Sequence, residues 1–160
     1  VFARSKVTTT QRQSIEPVLR EAVEVVGPAA AQAKVETSIE VEDGVPPIQA
    51  DAELLRQAFL NLGVNAIQAM QPGGGKLAVK LRRDGTGLAV EFQDSGPGMD
   101  AEVQKHVFEP FYTTKASGTG LGLAIVRQAA ETHGGTVEVE SAPGRGALFR
   151  VRLPGEERKT

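Results

Sequence analysis

Apolar positions along this chain switch between two periods. Over residues 14–33, Val18, Ala22, Val25, Ala29 and Ala33 recur at helical spacing. Ser14 suits the cap of that helix and Pro17 its first turn, while Gly27-Pro28 threatens it with a kink or break. Val35 to Val41 alternates as a strand does. Helical spacing returns from Asp51, a natural cap, to about Met70, where "PGGG" stops it. Residues 76–83 and 87–94 read as two strands joined by the hairpin signal "DGTG". Residues 95–118 are loop-rich with short helical pieces. A third helix runs from about Thr119 to His133 and ends at "HGG", and residues 135–141 and 146–153 make a last hairpin. Residues 1–13 are polar and weakly patterned, a linker remnant or a frayed first strand. The sum is one α+β domain: a two-layer sandwich whose mixed, mostly antiparallel sheet is covered on one face by three helices.

Three places break these patterns. In "DAELLRQAFLNLGVNAIQAM", Leu55, Phe59, Leu62, Ala66 and Ala69 form one apolar stripe, and Leu60, Val64 and Ile67 a second. At about 100° per residue, Asn61, Asn65 and Gln68 line up between them. An amide buried without a partner costs about 1–3 kcal/mol, so this row needs a neighbour's backbone, water or a ligand. Amide oxygens are hard neutral ligands compatible with Mg2+ that keeps waters and substrate phosphates. The plainer alternative is that they tie the helix to nearby loops.

In "GLAVEFQDSGPGM", Asp94 falls on the same strand face as Leu88, Val90 and Phe92, where an apolar residue is expected. Gly96 and Gly98 follow and allow close backbone approach. A buried carboxylate wants donors, and an exocyclic amine such as adenine N6 is one; an Asx turn closing the strand is the alternative. In "FYTTKASGTGLGLAIV", Gly118, Gly120 and Gly122 open a helix. Leu123 stands where a dinucleotide fingerprint has its third glycine, no strand precedes the loop, and Lys115 comes before the glycines, unlike a Walker A lysine. What remains is a glycine loop at a helix start, where free N–H groups and the dipole favour polyphosphate, or simply a loop and cap.

Composition narrows the partners. The chain has 160 residues, is 40% hydrophobic and 24% charged, and carries a formal net charge of -2, which gives no basic footprint for nucleic acid. It has no cysteine, hence no disulfide, thiolate metal site or cysteine nucleophile. Residues 57–75, the longest uncharged run, hold too many amides to span a membrane, and no signal peptide is visible. A start at Val1 reads as an excised piece of something longer.

Taken in order, "NLGVNAIQAM", "DSGPGM", "FEPFYTTK", "GTGLGLAI" and "HGGTVEVESAPGRGALFRVRLP" resemble the N box, first glycine box, F box, second glycine box and closing hairpin of one family. It is the catalytic, ATP-binding domain of two-component sensor histidine kinases, within the GHKL ATPase superfamily shared with DNA gyrase, a heat-shock chaperone and mismatch-repair proteins. The likeness covers roughly residues 14–154, leaving 1–13 as linker from a missing dimerisation and phosphoacceptor domain and 155–160 as a polar tail. It implies the GHKL ATP-binding fold, with ATP and Mg2+ as cofactors. Asn65 would coordinate Mg2+, Asn61 would lie near the phosphates, and both would be catalytic. Asp94 would take the adenine amine, with Gly96, Gly98 and Met99 lining the base. Residues 99–118 would be a lid anchored by Phe108 and Phe111, with Tyr112, Thr113 and Lys115 near the nucleotide. Gly118, Thr119, Gly120, Leu121 and Gly122 would hold phosphate through backbone N–H groups.

The resemblance also bears on the reaction. The superfamily's hydrolases carry a water-activating glutamate one turn before the metal asparagine; here that position is Asn61, which cannot act as a base. Many relatives carry Lys or Arg where Gln68 stands, and often Ser or Thr where Ala147 stands. His106 and His133 both lie outside the acceptor motif and read as structural. The implied activity is transfer of the ATP γ-phosphoryl to a histidine on the parent protein's dimerisation domain, then to a response regulator. The expected setting is cytoplasmic, with a monomeric fragment that contacts neither nucleic acid nor membrane, whether or not the parent is membrane-anchored. A GHKL-type ATPase clamp and a non-catalytic nucleotide-binding adaptor are the rival readings, the second kept open by Gln68.

Overall fold

The computed structural model describes residues 10–112 and 121–155. Five strands form the main sheet: β2 (Val35–Val41), β4 (Gly75–Asp84), β5 (Gly87–Asp94), β6 (Thr136–Ser141) and β7 (Ala147–Leu153). Their order is β2-β4-β5-β7-β6, with β2 and β4 parallel and the other neighbours antiparallel. A two-stranded antiparallel sheet pairs β1 (Gln11–Gln13) with β3 (Ile48–Ala50). Helices α1 (Glu16–Gln32), α2 (Ala52–Ala69) and α4 (Gly122–Thr132) pack in a layer on the sheet; α3 (Ala101–His106) is a short piece between β5 and α4.

Period-two alternation makes the sheet two-faced. Leu77, Val79 and Leu81 of β4, Leu88, Val90 and Phe92 of β5, and Phe149, Val151 and Leu153 of β7 are all buried. They meet Val18, Leu19, Ala22, Val26 and Ala30 of α1, Leu55, Phe59, Leu62 and Ala66 of α2, and Val126, Ala129 and Ala130 of α4 in one core. Each such Leu or Phe contributes about 1.5–3 kcal/mol by leaving water. Phe59 stacks over Phe92 with ring centres 6.4 Å apart, which fixes α2 across β5. The opposite face carries ions: Arg150 bonds Glu91, Glu138 and Glu140 together.

The sheet, both hairpins and α2 follow the sequence pattern closely. Helix α1 differs. It runs unbroken through Pro28; Pro28 and Glu24, whose carbonyl loses its intrahelical donor, are both solvent-exposed. Its buried stripe excludes Val25, which is 55% exposed. Ile15, not Ser14, occupies the cap position, although the Ser14 hydroxyl still accepts from the Glu16 N–H at 3.3 Å. β1 realises the frayed first strand. β3 was too short, behind two prolines, to show in the pattern.

Candidate functional site

Asp51 caps α2 by accepting the Leu54 N–H at 3.1 Å. One face of the helix is sealed in the core, and Asn61 and Asn65 sit half-buried at its margin. Gln68 is exposed, and so is Val64 at 42%, so the second apolar stripe of α2 is not wholly buried. Asn61 is the anomaly. Its Nδ2 is fully buried and, among the described residues, has no hydrogen-bond partner. A donor stranded in this way costs about 1–3 kcal/mol unless a ligand or water arrives. Gly63, between the two asparagines, lets α1 close in: a Cβ there would sit 3.3 Å from both Val26 methyls.

Asp94 ends β5 facing inward and is 3% exposed, the one buried charged or polar residue among the described residues. Its Oδ1 accepts from the Gly96 N–H at 2.9 Å and the Ala147 N–H at 3.2 Å. The Asx-turn reading is therefore met at that oxygen, and the β5–β7 register, which sets Asp94 opposite Ala147, supplies the second donor. Burial pushes the Asp94 carboxyl above its ordinary range, and the two backbone bonds only partly offset this.

The segment after Asp94 is fastened to the last hairpin. Gly96 lies against the end of α2, where a Cβ would come 3.1 Å from the Ala69 carbonyl oxygen. Gly98 has φ +78°, and any side chain there would collide with the Ala142 carbonyl. The close approach that these glycines permit is thus, at Gly98, the protein's own. Met99 donates its N–H to the Ser141 hydroxyl, which donates to the Gly146 carbonyl. Gln104 of α3 donates to the carbonyls of Met99 and Ser141. Ser141 and Gln104 were not singled out by sequence; only a fold that sets β6 beside residue 99 makes them neighbours.

Beyond α3, Phe108 stands edge-on to Phe149 at 5.9 Å and anchors the segment to the core. Phe111 does not: it is 75% exposed with φ +68°, so the expectation of a second apolar anchor is corrected. Tyr112 is half-buried, its ring 5.4 Å from that of His106. His106 Nδ1 lies 2.8 Å from Glu109 and its Nε2 3.2 Å from Glu102. The Glu109 hydrogen bond, with Glu102 behind it, raises the His106 pKa.

Thr113, Lys115, Gly118, Thr119 and Gly120 lie outside the described residues. Leu121 takes the N-terminal position of α4 and is 37% exposed. At Gly122 a Cβ would meet nothing within 4 Å, so no described neighbour demands a glycine there. At the other end, His133 caps α4 and bonds to the residue before α2, as its structural reading expected. The fold thus sets α2 between the end of β5 and α4, with the asparagines on α2, the acid on β5 and the last glycine opening α4. Among the described residues no group of three His, Cys, Asp or Glu side chains is placed to hold a metal ion, and the amide oxygen of an asparagine is a hard neutral donor compatible with a cation held mainly by water and phosphate. The Asn61 donor, without a partner among the described residues, fits an oxygen-rich ligand.

Residues 50–157 match the family model described as histidine kinase-, DNA gyrase B-, and HSP90-like ATPase. The chain is 39% identical over 153 residues to the signal transduction histidine-protein kinase AtoS of Escherichia coli K12, covering 96% of this chain and 25% of that one. It is 41% identical over 145 residues to the sensor histidine kinase ZraS of Klebsiella oxytoca, covering 90% and 31%. Among solved structures, the catalytic domain of histidine kinase ThkA superposes with TM-score 0.81 at 28% identity, covering 91% and 95%. Full-length ShkA in complex with AMPPNP does so with TM-score 0.79 at 33% identity, covering 93% and 32%. The chain thus spans between a quarter and a third of the length of these sensor kinases.

Proposed function

We propose phosphoryl transfer to histidine on one premise: the chain belongs to the histidine kinase-, DNA gyrase B-, and HSP90-like ATPase family. In this reading the domain binds Mg-ATP and passes the γ-phosphoryl to a histidine on a separate dimerisation domain of its parent, from which a response regulator aspartate receives it. The buried, unpartnered Asn61 Nδ2 carries the proposal, because a phosphate oxygen gives that donor the acceptor it lacks. Asp94 takes the adenine amine, with Gly96, Gly98 and Met99 along the base and Tyr112, Thr113 and Lys115 near the nucleotide. Asn65 coordinates Mg2+. Gly118, Thr119, Gly120, Leu121 and Gly122 cradle the phosphates at the start of α4. Bound Mg2+ would neutralise phosphate charge; the protein's part is to position the donor and keep water idle.

Transfer is favoured over hydrolysis by what surrounds Asn61. The nearest acids on α2 are already committed, Asp51 to the Leu54 N–H and Glu53 to Arg56. Glu53 also lies about 12 Å away along the axis at roughly 1.5 Å per residue. His133 and His106 each have both ring nitrogens engaged, which favours an acceptor elsewhere. No described helix is long and apolar enough to cross a membrane. We place the domain on the cytoplasmic side, where ATP is, as a monomer when excised.

Calorimetric titration with a non-hydrolysable ATP analogue, with and without Mg2+, tests the site. Wild type should bind with Mg2+ dependence, and Asn65→Ala should remove mainly that dependence. A wild type that binds no adenine nucleotide would end the proposal. A wild type that binds but never labels a supplied histidine domain would favour the adaptor reading, for which exposed Gln68 is the supporting observation.

A further inference from the structure

His133 joins two elements that the nucleotide reading needs in fixed relation. Its Nε2 accepts the backbone N–H of Asp51 at 3.0 Å, and its Nδ1 stands 2.8 Å from the Ala129 carbonyl oxygen. A carbonyl only accepts and a backbone N–H only donates. Nδ1 therefore carries the ring's proton and Nε2 its lone pair, so these two partners fix one tautomer of the neutral imidazole. His106 is the converse, with a carboxylate on each nitrogen. Asp51 heads α2, which bears Asn61 and Asn65, while Ala129 and His133 end α4, which opens at Gly122. The residue before Asp51 is tied as well: Ala50 pairs with Gln11, and its carbonyl accepts from the Gln13 side chain at 2.9 Å.

We infer that His133 is a positioning residue for the nucleotide site, a neutral clasp that holds the glycine-loop helix against the asparagine helix and opens when its ring is protonated. A protonated ring sets an N–H against the Asp51 N–H. Its charge also meets the positive end of the α2 dipole while favouring the negative end of α4. The ring stays with α4 and leaves α2. The charged groups on the elements meeting here are spoken for or lie elsewhere on their helices. Asp51 caps Leu54, Glu53 pairs with Arg56, and Arg152 of β7 pairs with Asp84 and Glu138. Arg127 and Glu131 lie on α4 and Arg12 on β1. Among the described residues the ring's partners are Asp51 and Ala129 alone.

This inference rests on the nucleotide-binding reading, and two substitutions separate it from a merely structural role. The amide of Gln at 133 reaches the place of Nε2 and accepts from Asp51 without titrating; the shorter Asn reaches only the Ala129 carbonyl. Binding of a non-hydrolysable ATP analogue is measured between about pH 5 and 8, the range in which imidazole changes charge. The background carries His106→Gln, so that residue 133 holds the only imidazole. Ionisation of the nucleotide's phosphates enters every variant equally and divides out. Near pH 8, His133→Gln should bind as the background does and His133→Asn about tenfold more weakly, the scale of one lost hydrogen bond. On acidification the background should fall toward the Asn variant while the Gln variant holds its ratio. Equal affinities for the Gln and Asn variants, or identical pH profiles for Gln and His, would overturn the clasp. If no form binds nucleotide, the nucleotide reading fails, and the free protein's amide resonances decide the clasp. Asp51 and Gly122 should shift together on acidification with His133 and not with Gln; a Gly122 signal indifferent to residue 133 would overturn it.

Discussion

In the nucleotide-binding reading proposed above, Asp94 trades stability for recognition. Burial lifts its carboxyl pKa, and the bonds from Gly96 and Ala147 do not fully cancel the lift. The fold therefore binds the carboxyl proton more tightly than the unfolded chain does. By linkage this residue's contribution weakens as pH rises through the gap between the unfolded and folded values, and the ionised form burdens the protein at neutral pH. Asp94→Asn keeps the size and an acceptor oxygen for the two backbone donors, yet carries no charge. Its ligand-free Tm at pH 7 should equal or exceed that of wild type. Its affinity for an ATP analogue should fall about 10- to 100-fold, because an amide N–H2 set against adenine N6 pairs donor with donor. Scanning calorimetry and titration together check this; an Asn variant that melts lower and still binds nucleotide would refute both halves. Asp94 was legible because period two put a charge in register with Leu88, Val90 and Phe92. The reason for Gly98 was not, because the carbonyl it must clear belongs to Ala142, distant in sequence and adjacent only once β6 and β7 close.

At the scale of elements, α3 carries a titratable brace. His106 bridges Glu109 and Glu102, and donation to both carboxylates requires both ring nitrogens protonated. Its pKa is raised, chiefly by the Glu109 hydrogen bond. A base with a raised folded pKa stabilises fully below its unfolded value and loses that contribution as pH rises through the folded value. Amide protection of α3 should therefore decline with rising pH through the His106 midpoint, which an NMR titration would measure. Glu109→Gln should lower that midpoint more than Glu102→Gln does, and equal shifts would show that the Glu109 contact does not dominate. The sequence marked this region only as short helical pieces, since a six-residue helix is too brief for periodicity and its braces are contacts rather than patterns. In α1 the local rule misled in the other direction. A proline inside a helix matters most where its missing N–H leaves a buried carbonyl, and here Pro28 and Glu24 are both exposed residues. The strands of the main sheet and α2 were legible because each is long enough to repeat its period several times.

Across the whole molecule the sheet separates two kinds of chemistry. Its inner face joins the helices and ends at Asp94; its outer face is held by Arg150 among Glu91, Glu138 and Glu140, with Arg82 also on Glu91. Burial alone would raise Glu91, but hydrogen bonds from Arg150 and Arg82 pull its pKa below the ordinary value. Such a carboxylate contributes stability above its unfolded pKa and loses it as pH falls through the folded one. Glu91→Gln should thus cost about 1 kcal/mol at pH 7, since Arg150 keeps two other carboxylates, and should flatten the acid limb of the stability curve. ATP-analogue affinity at pH 7 should not change, because Glu91 points away from α2 and α4 while its neighbours Val90 and Phe92 point toward them. Thermal melts over acid pH beside one titration at pH 7 measure both faces in the same protein. A loss of affinity matching the loss of stability would mean that the ion network reaches through the strand to the site. A loss of stability alone would show that the ion network on the outer face stands apart from the helix side of the sheet, where α2 carries the buried Asn61 donor.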